Sequence, residues 1–199
     1  MSDRFHRMRD RYLSGEIPWD HPEPPPEIIA LSQELPPGRA LDLGCGTGRA
    51  CIWLARAGWQ VDGVDFVPEA IAIASERVQT AGVADRVRLF VADATNLAFL
   101  TGPYDLAIDV GCGHGFGEAE LHAYLSEVHR LLRSGGLFAF FVHLRHRDQP
   151  EAETLKVSIE QSFLMEALRR YFTIEQFVPG ETIVMGNRGP SAWIYLRRD

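Results

Sequence analysis

Leu41-Asp42-Leu43-Gly44-Cys45-Gly46-Thr47-Gly48-Arg49 is the stretch that decides the fold. A short apolar run, Arg39 to Leu43, breaks at a cluster of glycines, and an apolar-periodic segment, Thr47 to Ala57, follows until Gly58 stops it. That pattern is a buried strand, a tight turn and a helix. Glycine lets the backbone bend sharply and lets a ligand come close to the main chain. The start of the following helix offers N–H groups without intrahelical partners to an anionic group.

Working outward, the same alternation repeats. Gln60 to Val64 reads as a strand ending in Asp65, and Pro68 to Ala81 as a helix with proline in its first turn and Gly82 as its stop. Val87 to Ala92 is a strand running into Asp93, and Tyr104 to Val110 a strand ending near Asp109. Glu118 to Leu132 is an amphipathic helix closed by Ser134-Gly135-Gly136, and Leu137 to Val142 is a continuous apolar run, as a strand buried on both faces requires. Thr154 to Tyr171 reads as the last helix. Phe172 to Val178 and Ala192 to Leu196 close the chain as an antiparallel pair at one edge. Strands alternating with helices predict a parallel sheet with helices on both faces. The proline cluster Pro22 to Pro26 sets off an N-terminal arm, residues 1–26, from a core of residues 27–199. The arm is too short for a domain and reads as a lid within a single domain spanning 1–199.

In a doubly wound sheet, ligands bind beyond the carboxyl ends of the strands. Here those ends carry the glycine loop, then Asp65, Asp93 and Asp109. An acid about twenty residues beyond the glycine turn can accept both hydroxyls of a ribose. An acid at the third strand end, with Ala94 beside it, can accept from an adenine amine. Pyrophosphate is repelled by so many carboxylates, whereas a sulfonium cation is attracted. The glycine spacing is G-x-G-x-G followed by Arg49, not the G-x-G-x-x-G of dinucleotide sites. S-adenosylmethionine is therefore favoured over NAD, with a nucleotide-linked oxidoreductase as the weaker reading.

The chain has 199 residues and a formal charge of −7. That balance argues against a nucleic-acid partner, which needs a basic surface. No apolar run approaches a bilayer span and the N-terminus has no apolar signal core, so a cytoplasmic protein without a membrane partner is expected. Cys45, Cys51 and Cys112 match no zinc spacing and read as reduced thiols.

The same residues resemble the motifs of class I S-adenosylmethionine-dependent methyltransferases. Ala40 to Arg49 resembles the first motif; Val61 to Asp65 resembles the second, with Asp65 as the ribose acid and Phe66 as the residue packed on adenine. Val91 to Ala94 resembles the adenine motif, Tyr104 to Asp109 the fourth motif, which faces the transferred methyl, and Leu131 to Gly136 the turn before strand five. The resemblance implies an α/β, Rossmann-like doubly wound sheet of seven strands, mostly parallel with an antiparallel edge strand. It implies cofactor contacts from Trp19, Asp42, Gly44, Cys45, Gly46, Gly48, Asp65, Phe66, Asp93, Ala94 and Asp109, with S-adenosylhomocysteine as product. Gly15 to Asp20, with Pro24 to Glu27, resembles the N-terminal segment of the thiopurine, tellurite-resistance and halide/thiol group of small-molecule methyltransferases. In that group the Pro18-Trp19-Asp20 stretch lies over the methionine end of the cofactor.

The acceptor is not declared by motif. There is no Asn-Pro-Pro-Tyr-like sequence after strand four and no Pro-Cys nucleophile; Val110 to Gly117 instead carries four glycines and suggests an open or mobile loop. A soft acceptor needs no base, whereas an oxygen or amine does. Candidates for the base are Asp109, His114 and His143. His143 and His146 have no evident third metal ligand and Arg145 and Arg147 interleave, so no metal is expected. Direct transfer needs no covalent intermediate, so Cys112 reads as a thiol in the core. The expected partner is a small-molecule methyl acceptor, with the chain a monomer or homodimer. The alternative is a non-catalytic S-adenosylmethionine-binding or regulatory module. Pocket shape falls to the arm, the loop after strand four and residues 144–153.

Overall fold

Apolar runs flanked by glycine turns give short parallel strands in the first half of the chain, as the sequence predicts. In this computed structural model, which describes residues 3–146, 155, 157–184 and 186–199, the chain divides into two compact units, Met1–Ala94 and Thr95–Asp199.

The first unit contains α1 (Asp3–Ser14), α2 (Pro26–Glu34), β1 (Arg39–Leu43), α3 (Arg49–Arg56), β2 (Gln60–Asp65), α4 (Pro68–Thr80) and β3 (Val87–Val91). Its strands lie in the order β3-β2-β1, all parallel, with Leu43 opposite Val64 and Asp65 opposite Val91. The carboxyl ends of β1 and β2 therefore come level, which sets the glycine loop beside Asp65. Two helices escape a reading of the sequence. α1 is highly charged, yet Phe5, Met8 and Tyr12 recur at helical spacing and pack on Phe66, Val67, Ala70 and Ile73. α2 begins at Pro26 inside the proline cluster, where proline costs nothing at a first helical position.

The second unit contains β4 (Tyr104–Val110), a single 3-10 turn at Gly113–Gly115, α5 (Glu118–Leu131), β5 (Leu132–Arg145), β6 (Ile159–Glu160), α6 (Gln161–Arg169), β7 (Thr173–Val184) and β8 (Asn187–Arg197). Its order is β4-β5-β8-β7, with two-residue β6 beside the end of β5. β5 is parallel to β4, and β8 is antiparallel to both β5 and β7. The predicted antiparallel pair is present, with β8 as the reversed strand and β7 outermost. Tyr124 on α5, Phe138 and Phe140 on β5, and Phe172 form an aromatic core, with Phe138 and Phe140 stacked 5.0 Å apart.

Several boundaries differ from the sequence reading, among them β5, which runs Leu132–Arg145 rather than Leu137 to Val142. The last helix, read as Thr154 to Tyr171, starts only at Gln161; Glu160 caps it by accepting from Ser162 N and Phe163 N, and Ile159-Glu160 pairs with β5 instead. Residues 154 and 156 of that range lie outside the described residues, as do 147–153 of the segment 144–153. The closing strands are far longer than predicted, because Pro179, Gly180, Gly189 and Pro190 read as breakers. Pro190 is tolerated since β5 pairs with β8 only from Ser191 onward, and Pro179 since β7 is an edge strand. Among the described residues, no helix is long and apolar enough to cross a membrane.

Candidate functional site

β1 delivers the glycine loop at its carboxyl end. Gly44 N and Cys45 N both donate to Val64 O, at 2.8 and 2.9 Å, so the loop folds over the end of β2. Gly46 and Gly48 lie at φ +54° and +81°, a left-handed conformation that disfavours any side chain. Space is also short: a Cβ at Gly48 would lie 3.1 Å from Ala74 Cβ on α4, and one at Gly46 3.2 Å from Tyr12 Oη on α1.

Asp65 closes the loop from below. Its Oδ2 accepts from Gly46 N at 3.0 Å and its Oδ1 from Val67 N at 2.9 Å. The side chain is buried, and burial pushes its pKa up to about 6 against the pull of these N–H groups. A carboxylate has about four acceptor positions, so each oxygen retains capacity for a hydroxyl. Ala92 N donates to Asp65 O at 3.0 Å, which leads the chain from β3 into exposed Asp93 and buried Ala94. Phe66 is half-buried, edge-on to Phe5 at 5.9 Å with the Arg4 guanidinium 5.8 Å from its centroid.

Asp42 sits within β1 rather than at its end; it is buried and accepts from Cys51 Sγ at 3.2 Å. Cys45 and Cys51 both press on β2, where a Cβ at Gly63 would lie 3.1 and 2.8 Å from their sulfurs. The hydrogen bond from Cys45, burial and Asp42 hold the Cys51 thiol well above its ordinary pKa. These two cysteines shape the underside of the loop as protonated thiols.

The arm reaches the loop at two points. Tyr12 lies against Gly46, and Trp19, 37% exposed, stands edge-on to Tyr12 at 6.1 Å. Asp20 Oδ1 accepts from Thr47 Oγ1 at 2.6 Å, and the Asp20 carboxylate takes both Nη atoms of Arg77 at 3.1 and 2.8 Å. Burial works to raise the Asp20 pKa, but the Arg77 and Thr47 hydrogen bonds outweigh it and hold it below the usual carboxylate value. The sequence reading placed Asp20 only within a stretch lying over the methionine end of the cofactor and gave Thr47 no role of its own. It missed Tyr12 and Arg77, whose importance comes from tertiary contact alone.

In the second unit Asp109 is wholly buried near the end of β4. Its Oδ1 accepts from Cys112 N at 2.7 Å, and its Oδ2 accepts from Gly113 N at 2.9 Å and Tyr124 Oη at 2.6 Å. Burial raises its pKa to about 6 although these donors, with Gly111 N, pull it down. The carboxylate thus organises the loop after β4. Two of the loop's glycines serve close packing rather than openness. A Cβ at Gly113 would strike Phe140 at 2.8 Å, and Gly111, at φ +93°, has His114 at 3.1 Å.

His114 is buried and stacks on His143 with centroids 4.3 Å apart and planes 20° apart. His143 N donates to His114 Nδ1 at 3.4 Å. Burial first, and the neighbouring His143 second, lower the His114 pKa to about 3; burial lowers His143 as well. Both rings are neutral near pH 7, and His114 is a weak base there.

Comparison with known proteins fits this geometry. Residues 40–136 match the family model described as a methyltransferase domain. The chain is 26% identical over 176 residues to the 2-heptyl-1-hydroxyquinolin-4(1H)-one methyltransferase of Mycobacteroides abscessus, covering 88% of this chain and 77% of that protein. A solved structure concerned with conversion of a disulfide bond into a thioacetal group during echinomycin biosynthesis matches with a TM-score of 0.80 and 26% identity, over 98% of this chain and 92% of that one. The 1,6-didemethyltoxoflavin-N1-methyltransferase of Burkholderia thailandensis, with 1,6-didemethyltoxoflavin and S-adenosylhomocysteine bound, matches with a TM-score of 0.75 and 23% identity, over 98% and 87% of the chains. These likenesses show the Rossmann-like α/β fold. The chain spans only 41% and 50% of the length of two other curated relatives that it matches.

Proposed function

We propose, the chain being a class I S-adenosylmethionine-dependent methyltransferase, that residues 1–199 form one methyltransferase domain acting on a small-molecule acceptor. The observation that carries the reading is the Asp65 carboxylate, buried at the end of β2 with Oδ2 on the glycine loop at Gly46 N and Oδ1 on Val67 N. In this reading Asp65 takes the ribose hydroxyls, Asp93 and Ala94 meet the adenine, and Phe66 packs beside it. The glycine loop and the first turn of α3 take the methionine carboxylate. Asp42 and Cys45 support the loop from beneath.

The reaction is a direct displacement. The acceptor lone pair forms a bond to the methyl carbon as the carbon–sulfur bond breaks, and S-adenosylhomocysteine leaves as a neutral thioether. Positioning of the activated donor supplies much of the rate. Asp109 spends its lone pairs on Tyr124 and the loop N–H groups, so it serves as a scaffold. His114 and His143 are neutral and stacked, so neither is a strong base near pH 7. That favours an acceptor whose proton is already lost or readily lost near pH 7: a thiolate, an acidic hydroxyl or an aromatic ring nitrogen. The relatives support a small acceptor, since the Mycobacteroides enzyme is named for a hydroxyquinolone and the Burkholderia enzyme for a toxoflavin precursor. In this reading the protein is cytoplasmic and acts alone or as a homodimer.

The test is transfer of labelled methyl from S-adenosylmethionine into a panel of thiols, halides, amines, phenols and hydroxyquinolones, with S-adenosylhomocysteine and NAD titrated calorimetrically. Binding of S-adenosylhomocysteine but not NAD, with turnover of at least one acceptor, is expected. Binding without turnover on any acceptor would favour the non-catalytic module. Trp19→Ala is expected to raise KM several-fold with the melting temperature unchanged, since Trp19 is exposed beyond its contact with Tyr12. Global unfolding of that variant would make the arm structural rather than a cover.

A further inference from the structure

We infer that Arg77 is a positioning residue that latches the N-terminal arm to the glycine loop and so sets how long the methyl donor stays bound. The inference rests on the reading of that loop as the donor site. It starts from three residues far apart in sequence that meet at one point: Asp20 on the arm, Thr47 in the loop and Arg77 on α4. Arg77 Nη1 lies 2.8 Å from Thr47 Oγ1 and 3.1 Å from Asp20 Oδ1, and Nη2 lies 2.8 Å from Asp20 Oδ2. Thr47 Oγ1 in turn donates to Asp20 Oδ1 at 2.6 Å. The hydroxyl thus accepts from one partner and donates to the other, and the guanidinium fork spans both carboxylate oxygens. A lysine point charge cannot reproduce that geometry.

An ordinary surface ion pair contributes little. This one differs in that the Asp20 side chain is only 14% exposed and the third member is part of the loop itself. A weaker tie runs from Arg49 Nη1 to Glu23 O at 3.4 Å. The latch is separable from the fold. α1 is held independently by Tyr12, Met8 and Phe5 on α4 and its N-terminal approach, and by the Arg9–Glu69 ion pair. Between α1 and Asp20 stands Gly15, at φ +73° with open space about it, and beyond Asp20 stand the prolines from Pro22. Ile17 packs on the same cluster as α1, so the part that can lift once Asp20 is released and Trp19 leaves Tyr12 is residues 18–22, while α1 and Ile17 stay docked. Donor entry and product exit require that movement, so the Asp20–Arg77–Thr47 contact is the barrier to exchange.

The test measures S-adenosylhomocysteine dissociation by stopped flow in the full chain. Arg77→Met is expected to speed dissociation about tenfold or more, because changes of this kind fall mainly on the off-rate. Donor KM should rise while kcat at saturating donor stays within about twofold and the melting temperature of the ligand-free protein barely moves, a split that a purely structural arginine does not produce. Arg77→Lys should recover only part of the effect. Asp20→Asn, which supplies the test if Arg77→Met does not fold, should speed dissociation likewise, and combining the two should add little. Added salt should speed dissociation from the wild type but not from Arg77→Met. Wild-type dissociation rates in both variants, or fully additive effects, would overturn the latch alone. A wild-type chain that binds no S-adenosylhomocysteine would overturn the donor-site reading and the latch with it.

Discussion

Asp65→Ala is expected to weaken S-adenosylhomocysteine binding by about 1 to 3 kcal/mol, the scale of hydrogen bonds to a charged group. The loss has two sources. The ribose hydroxyls lose their acceptor, and Gly46 N and Val67 N, which now donate to Asp65, lose the carboxylate that shapes the loop. Isothermal calorimetry reads the affinity, and the product-induced rise in melting temperature should shrink with it. The pH dependence separates charge from shape. Burial raises the Asp65 pKa to about 6, so in the ligand-free protein a proton competes with the ribose below that value. Wild-type affinity should be nearly flat from about pH 7 to 8 and fall by roughly fivefold between about pH 6 and 5, approaching tenfold per pH unit below that. Asp65→Asn should bind weakly with no such slope. The sign for stability is opposite: a carboxylate whose folded pKa is raised contributes stability present below its unfolded pKa and lost as pH rises through about 6. The ligand-free protein therefore carries an ionised, buried acid at pH 7 that the ligand's hydroxyls relieve. An unchanged affinity in Asp65→Ala, or a wild-type slope in Asp65→Asn, would end the ribose assignment.

What made Asp65 legible was chain geometry. A parallel strand delivers its last residue to a fixed place, and a glycine turn one strand away marks that place without any knowledge of tertiary contacts. The same logic located the loop, β1 to β5 and α3 to α5. It failed where the signal was not periodic. α1 hides its apolar stripe among charges, and α2 hides behind prolines. β7 and β8 run through prolines whose tolerance depends on which neighbour each one lacks. Arg77 was invisible for a further reason: a solvent-facing arginine on a helix looks like any other until the arm folds back on it. The sequence also misjudged the loop after β4. Four glycines suggested openness, but Gly113 is required by Phe140 and Gly111 by its backbone angle.

That loop is the subject of the second large effect. Asp109→Ala should destabilise the protein by about 3 to 5 kcal/mol, because it removes the acceptor of several buried donors at about 1 to 3 kcal/mol each. Tyr124 Oη, Cys112 N and Gly113 N all end on Asp109, and Tyr124 anchors the aromatic core with Phe138 and Phe140. Against a total stability of about 5 to 15 kcal/mol, that loss lowers the urea midpoint severely. Asp109→Asn is the sharper probe, since it keeps the volume and one acceptor but turns an N–H₂ toward a donor. The Asp109 pKa is raised to about 6 by burial, so the stability it contributes is full below about pH 4 and is lost as pH rises through about 6. The margin of wild type over Asp109→Asn should accordingly be larger at pH 4.5 than at pH 7.5. Turnover decides between scaffold and base. If Asp109 only shapes the loop, folded Asp109→Asn assayed well below its melting temperature retains kcat within about tenfold, whereas loss of a general base costs about 10²- to 10⁴-fold. A variant with wild-type stability and that larger loss would return Asp109 to the chemistry. The four donors already converging on its two oxygens argue that it belongs to the architecture.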